Sequence, residues 1–166
     1  MSELETSLTL CGALTNLRMP PRGCVRHVGF TGTRAGMTRV QASLIADALV
    51  GWQLAWGADF LVCHHGDCVG ADEEFDGIAT RGGNFVVVHP PTHGKLRVRF
   101  REGPARMVLD PEPYMVRNRA IVEASLALLA TPRAPQRGSS RGTWATVRIG
   151  RASHIPTTVY EFDGVT

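Results

Sequence analysis

One pattern governs this chain. A short apolar run stops, a polar loop carrying glycine follows, and a stretch with helical spacing begins. It occurs three times. Residues 25–30 (VRHVGF) lead through the loop 31–38 into 39–54, residues 60–64 lead through 65–72, and residues 126–130 lead into a long loop ending at Gly142 and Thr143. Short, continuous apolar runs are what strands covered on both faces require. Strands alternating with helices specify βαβ units and a mostly parallel sheet.

The expected strands are 25–30, 60–64, 85–89, 126–130 and 157–162, and the expected helices 39–54, 71–80, 113–124 and 143–153. The first helix places Val40, Leu44, Ile45, Ala48, Leu49 and Trp52 on one face, a spacing near the helical period. Right-handed crossovers then predict an α/β, single-domain, Rossmann-like doubly wound sheet of five strands in the order 3-2-1-4-5. The chain reverses direction between the first and fourth strands of that order. Ligands bind outside the carboxyl ends of strands at such a switch point. Residues 1–23 stand apart as an N-terminal arm or extra element ending in the breaker-rich Pro20, Pro21 and Gly23, which leaves 24–166 as the domain. The segment 93–110 interrupts the alternation. It is basic (Lys95, Arg97, Arg99, Arg101, Arg106), and Leu96, Val98 and Phe100 alternate with the charges, as a short strand with one charged face would. It is placed to close over a site as a lid.

A chain of 166 residues with 43% apolar content is large enough for one real core. Its formal charge of +3, from 18 basic and 15 acidic side chains, permits an anionic ligand and is too small to argue for nucleic acid by itself. Cys11, Cys24, Cys63 and Cys68 form no disulfide framework, which points to a reducing, cytoplasmic setting. Glu3 and Glu5 with no basic run argue against a signal peptide. No apolar run approaches the ~18–20 residues that a membrane span needs.

The three loops hold the candidate ligand residues. In the first, Gly32 and Gly36 allow close backbone approach, Thr31, Thr33 and Thr38 supply hydroxyls, and Arg34 offers a planar cation suited to phosphate. The simpler account is a tight turn with Thr38 as helix cap. The loop lacks the GxGxxG dinucleotide pattern, which disfavours a standard NAD site. In the second, Gly66 and Gly70 flank Asp67. Asp67 or Asp72 can meet a ribose hydroxyl or hold Mg²⁺ beside phosphates, or simply complement a helix N-terminus. Cys63, His64, His65 and Cys68 match no zinc spacing, so no metal site is assigned. In the third, Ser139, Ser140, Gly142 and Thr143 offer hydroxyls and close approach, with Arg133, Arg137 and Arg141 nearby. Arg117 and Asn118, in the expected third helix, would by default face solvent.

Taken together these motifs resemble the SMF/DprA–LOG (SLOG) superfamily of Rossmann-like nucleotide-binding proteins, over residues 25–162. The matching residues are Gly32-Thr33-Arg34, the run from His65 to Asp72, Pro113-Tyr114 followed by Arg117-Asn118-Arg119, and Ser140 with Gly142-Thr143-Trp144. The likeness is greatest to small phage- or prophage-type members. It implies that Arg117 and Asn118 belong to the site. The enzymatic LOG branch cleaves the N-glycosidic bond of nucleoside monophosphates with an arginine and a glutamate. Here Arg117 matches the arginine, Asn118 replaces a lysine, and Thr146 stands where the glutamate would be. A threonine carries no charge and is a poor general base near neutrality, so the resemblance supports nucleotide binding more than hydrolysis.

The reading is a nucleotide-binding sensor or module with phosphate on Gly32, Thr33, Arg34, Arg117, Ser139, Ser140, Gly142 and Thr143, with Asp67 on a ribose hydroxyl, and with Gly66, Gly70 and Asn118 as further ligand-binding residues. One rival is a phosphoribohydrolase-type enzyme using Arg117 and Asp67. Another is a single-strand nucleic-acid binder using the basic stretch 95–106, whose only aromatic is Phe100. Homo-oligomerisation is a further expectation, with Trp52, Trp56 and Trp144 as interface or core residues.

Overall fold

The computed structural model describes residues 25–136 and 142–162. The N-terminal arm, and Ser139 and Ser140 of the third loop, lie outside the described residues. The elements are β1 (Arg26–Gly32), α1 (Arg39–Trp56), β2 (Leu61–His65), α2 (Ala71–Arg81), β3 (Phe85–Val88), β4 (Arg106–Val108), α3 (Tyr114–Glu123), β5 (Ala127–Thr131), α4 (Thr143–Ala152) and β6 (Thr157–Val159). They form a six-stranded sheet in the order β4-β3-β2-β1-β5-β6. Every adjacent pair is parallel.

The five expected strands keep their expected relative order. The sheet has a sixth because β4 adds to the edge beyond β3. It comes from the end of the basic segment, not from the alternating residues 96–100. Those form a loop whose Arg97 makes one antiparallel bridge to Cys68. Two buried acids explain the choice. Asp67 accepts from Arg97 Nε at 2.6 Å and from the backbone of Arg99 at 2.9 Å, which holds residues 97–100 against the β2–α2 loop. Asp76 on α2 accepts from Arg106 Nε at 2.8 Å and from His65 Nε2 at 3.1 Å, which draws β4 onto the sheet edge.

Alternation along the strands sends Val28, Phe30, Leu61, Cys63, Val86, Val88 and Leu129 to one face, where they bury Ile45 and Leu49 of α1 and Phe75 of α2. Phe30 and Phe75 stack with ring centroids 4.2 Å apart. The opposite face carries α3 and α4. There a side chain at Gly29 would strike Ser125 and Ile121, and Ala130 packs with Trp144 and Val147. Among the described residues no helix is long and apolar enough to cross a membrane.

One expected helix face is corrected. Val40 and Leu44 are exposed, and the buried positions of α1 are Gln41, Ile45 and Leu49. Gln41 takes the inward place because it is fully bonded there. Its Oε1 and backbone amide complete a capping box with Thr38. Its Nε2 donates to the carbonyls of Pro132 and Tyr160, beyond the ends of β5 and β6. Trp52 and Trp56 stack on each other at 5.2 Å beside the core, and Trp144 is buried with its indole N–H on the Ala134 carbonyl.

Candidate functional site

β1 and β5 are neighbours, but β1 leads leftward to β2 while β5 leads rightward to β6. Their loops therefore part at the carboxyl edge and leave a cleft. A cavity of about 910 Å³ lies there, lined by residues of β1 and its loop, α3 and the start of α4, with Cys68 from the β2 loop and Asp72 from the first turn of α2. Gly32, Thr33, Arg34, Arg117, Asn118, Gly142 and Thr143 all line it, as expected from the sequence.

Arg117 and Asn118 do not face solvent. They are 6% and 7% exposed. Both sit one turn or less from Tyr114 and Ile121, on the face of α3 that borders the cavity. Arg117 is held on three sides. Its Nη2 donates to Cys68 Sγ at 3.9 Å, its Cζ lies 5.4 Å from the Tyr114 ring centroid, and its Nη1 lies against Gly66. Among the described residues no carboxylate pairs with it, and its buried Nε has no hydrogen-bond partner. Arg34 reaches the same ring from the other loop, donating from Nη2 to Tyr114 Oη at 3.1 Å.

The second loop plays another part than expected. Gly66 has no side chain because the Arg117 guanidinium fills that space. A Cβ there would lie 1.2 Å from Nη1. Gly70, at φ +86°, is a left-handed glycine whose Cβ would strike the Arg34 carbonyl at 2.3 Å. These two glycines fit loop to loop and do not line the cavity. Asp67 is fully buried, and its carboxylate is occupied by Arg97 and the backbone amides of Arg99 and Phe100. It does not line the cavity. Asp72 lines the cavity, but its Oδ2 accepts from the backbone N–H groups of Gly66 and Cys68. Among the described residues no group of three or more His, Cys, Asp or Glu side chains is placed to hold a metal ion. The cavity's thiol, Cys68, is pushed above its ordinary pKa by burial and by Asp72, with Arg117 and Arg34 pulling the other way.

The first loop's helix N-terminus is also taken. The backbone N–H of Met37 donates to Glu74 at 2.6 Å, and Thr38 and Gln41 cap each other. α2 likewise carries Asp72, Glu73 and Glu74 in its first turn. By contrast α3 and α4 have neither a capping side chain nor an acid in the first turn. Both uncapped ends border the cavity, through Tyr114 and Met115 and through Gly142 and Thr143. The positive ends of two helices and three lining arginines, Arg34, Arg117 and Arg148, against the single lining carboxylate among the described residues, Asp72, favour an anion in this cleft.

Of the basic segment, Arg97 and Arg106 turn inward to Asp67 and Asp76, Lys95, Arg99 and Arg101 stay exposed, and no residue of 93–110 lines the cavity. The segment instead packs against the β2–α2 loop and the sheet edge. Tyr114, Met115, Thr146 and Arg148 line the cavity without having been singled out as ligand residues. Positions 114, 117, 118 and 121 share one helical face, so the spacing from Arg117 carried the signal for Tyr114.

No protein-family model matches the sequence, and no curated protein does. Several solved structures are similar, and two of them are as follows. One is the X-ray structure of TM1055, a structural-genomics target, at 14% identity and a TM-score of 0.52 over 80% of this chain and 72% of that one. The other is the Moco carrier protein from Chlamydomonas reinhardtii, at 18% identity and a TM-score of 0.52 over 84% of this chain and 78% of that one. This chain shares a Rossmann-like α/β fold with both.

Proposed function

We propose that the chain is a SLOG-type module that binds a phosphorylated nucleotide or nucleotide derivative at the β1–β5 switch point. The observation that carries the reading is Arg117, a guanidinium 6% exposed with no carboxylate partner among the described residues and an unbonded Nε. Removing such a cation from water is costly unless an anion answers it. A phosphate accepts in the planar, two-pronged way that a guanidinium donates. Arg34 and the uncapped starts of α3 and α4 add donors and positive potential at the same cleft.

Binding is favoured over hydrolysis. The cavity's one carboxylate among its described lining residues, Asp72, is bonded to two backbone N–H groups, and Thr146 lines the cavity at the position where the LOG resemblance expects the glutamate. The test is calorimetry with AMP, ADP-ribose and a cyclic nucleotide, followed by chromatography for free base. At least one should bind to the folded protein, with no base released. Absence of binding by all three contradicts the reading, and release of base restores the enzyme reading. One structural neighbour is named a Moco carrier, so Moco joins the panel. Binding of Moco alone would keep the anion site and reassign its ligand.

A further inference from the structure

We propose that Tyr114 is the residue that selects for a planar base on the phosphorylated ligand. The site would therefore take a nucleoside monophosphate in preference to a sugar phosphate or inorganic phosphate. This rests on the phosphate reading above and adds the other half of the ligand.

Tyr114 opens α3 directly after the Pro113 cap, and it lines the cavity. Its ring joins the two loops. Arg34 bonds its hydroxyl, and the Arg34 and Arg117 Cζ atoms lie 6.0 and 5.4 Å from its centroid. Two cations thus hold one aromatic ring in a fixed place beside the position assigned to phosphate. Even so Tyr114 is 36% exposed, so part of the ring stays open. Met115, 55% exposed, lines the cavity next to it. Phe30 and Ile121 supply further apolar lining. A phosphate alone would leave most of the cavity's 910 Å³ empty and its aromatic and apolar walls unused.

A positioned ring beside a phosphate site is what a heterocycle stacks on. Stacking of a base on an aromatic side chain strengthens binding by roughly 10- to 100-fold. Because the ring provides the surface and its hydroxyl only ties it to Arg34, phenylalanine should retain base selection and alanine should lose it.

The experiment titrates AMP, ribose 5-phosphate and inorganic phosphate into wild type, Tyr114→Phe, Tyr114→Ala and Arg117→Ala, each first shown to be folded by its thermal transition. In wild type AMP should bind about 10- to 100-fold tighter than ribose 5-phosphate. Tyr114→Phe should keep that ratio. Tyr114→Ala should bring it to within about threefold, chiefly by weakening AMP. Arg117→Ala should weaken AMP and ribose 5-phosphate alike. Equal affinity of wild type for AMP and ribose 5-phosphate overturns base selection and leaves the phosphate reading standing. So does a Tyr114→Ala loss shared equally by both. If none of the three probes binds wild type, selection for a nucleoside monophosphate falls, and the phosphate reading falls with it when ADP-ribose and a cyclic nucleotide also fail to bind.

Discussion

Arg117 shows how a side chain's worth depends on what surrounds it. On an isolated helix it would be a solvated cation. Here Gly66 leaves room for its guanidinium, Cys68 receives one N–H, and Tyr114 shields it. Gly66→Ala places a methyl group in the space of Nη1 and should drive the guanidinium out of position. Arg117→Ala should weaken AMP by roughly 10- to 100-fold, the size of a hydrogen-bonded charge contact. Gly66→Ala should weaken it comparably, and the double variant should be little worse than either single one. Such non-additivity marks two changes acting through one contact. Additive losses by calorimetry would show that Gly66 acts on something else. The helical spacing around Arg117 made Tyr114 legible. The meaning of Gly66 was not, because an approach across the fold, not a local turn, demands the missing side chain.

Among the elements, the strands carry two polar systems that the sequence hid. His64 and His65 are adjacent in β2 and point to opposite faces. His65 joins Asp76 and Arg106, which fastens β4 through α2. Burial works to raise the Asp76 pKa, but the hydrogen bonds from His65 and Arg106 hold it below its ordinary value. Asp76→Asn should loosen the β4 edge, so the backbone N–H groups of Val86 and Leu109, which bond across to Ala105 and Val88, should exchange faster. A stability loss of about 2–3 kcal/mol is expected, at the low end for a broken buried pair because Arg106 is partly solvated. Unchanged exchange at both amides would remove this role from Asp76.

On the other face His27 Nδ1 lies 2.8 Å from His64 Nε2, and His64 Nδ1 lies 2.8 Å from His89 Nε2. Burial depresses His27 to about 4. His89 is lowered to about 3 by burial, then by His65 and Arg117, and His64 lies well below its ordinary value for the same first reason. The unfolded chain therefore binds more protons than the folded one below pH ~6.5, so stability is full above that pH and falls as pH drops toward 4. Unfolding free energies from urea titrations at intervals from pH 7.5 to 4.5 should decline by on the order of 3 kcal/mol or more, and His27→Phe should flatten the decline. An unfolding free energy constant across that range would contradict the buried, neutral chain. Strand identity was readable from apolar runs, but this contact required strand register, which no local pattern encodes.

For the molecule as a whole, the alternation of strands and helices was enough to place β1 and β5 side by side and so to locate the cleft. It did not reveal which loops offer free donors. The first two loops resemble anion cradles in composition. Glu74, Asp72 and Thr38, from within the same domain, already satisfy their amides. Only the full arrangement leaves α3 and α4 uncapped beside the cavity. A ligand held between those helices and the β1 loop would tie both faces of the sheet together. At a concentration 100-fold above its dissociation constant it should add ~2.7 kcal/mol, raising the melting temperature by about 5–10 °C for a chain of this size. Differential scanning fluorimetry with the nucleotide that binds in calorimetry checks this, and a flat response at about 100 times its dissociation constant would contradict it.

The most direct test is a calorimetric titration of AMP, ADP-ribose and a cyclic nucleotide into wild type and into Arg117→Ala under identical salt. If the buried guanidinium is the counter-charge of a bound phosphate, wild type binds with a measurable heat and the variant at least about tenfold more weakly. Equal binding by the two proteins, or none by wild type, would contradict the account.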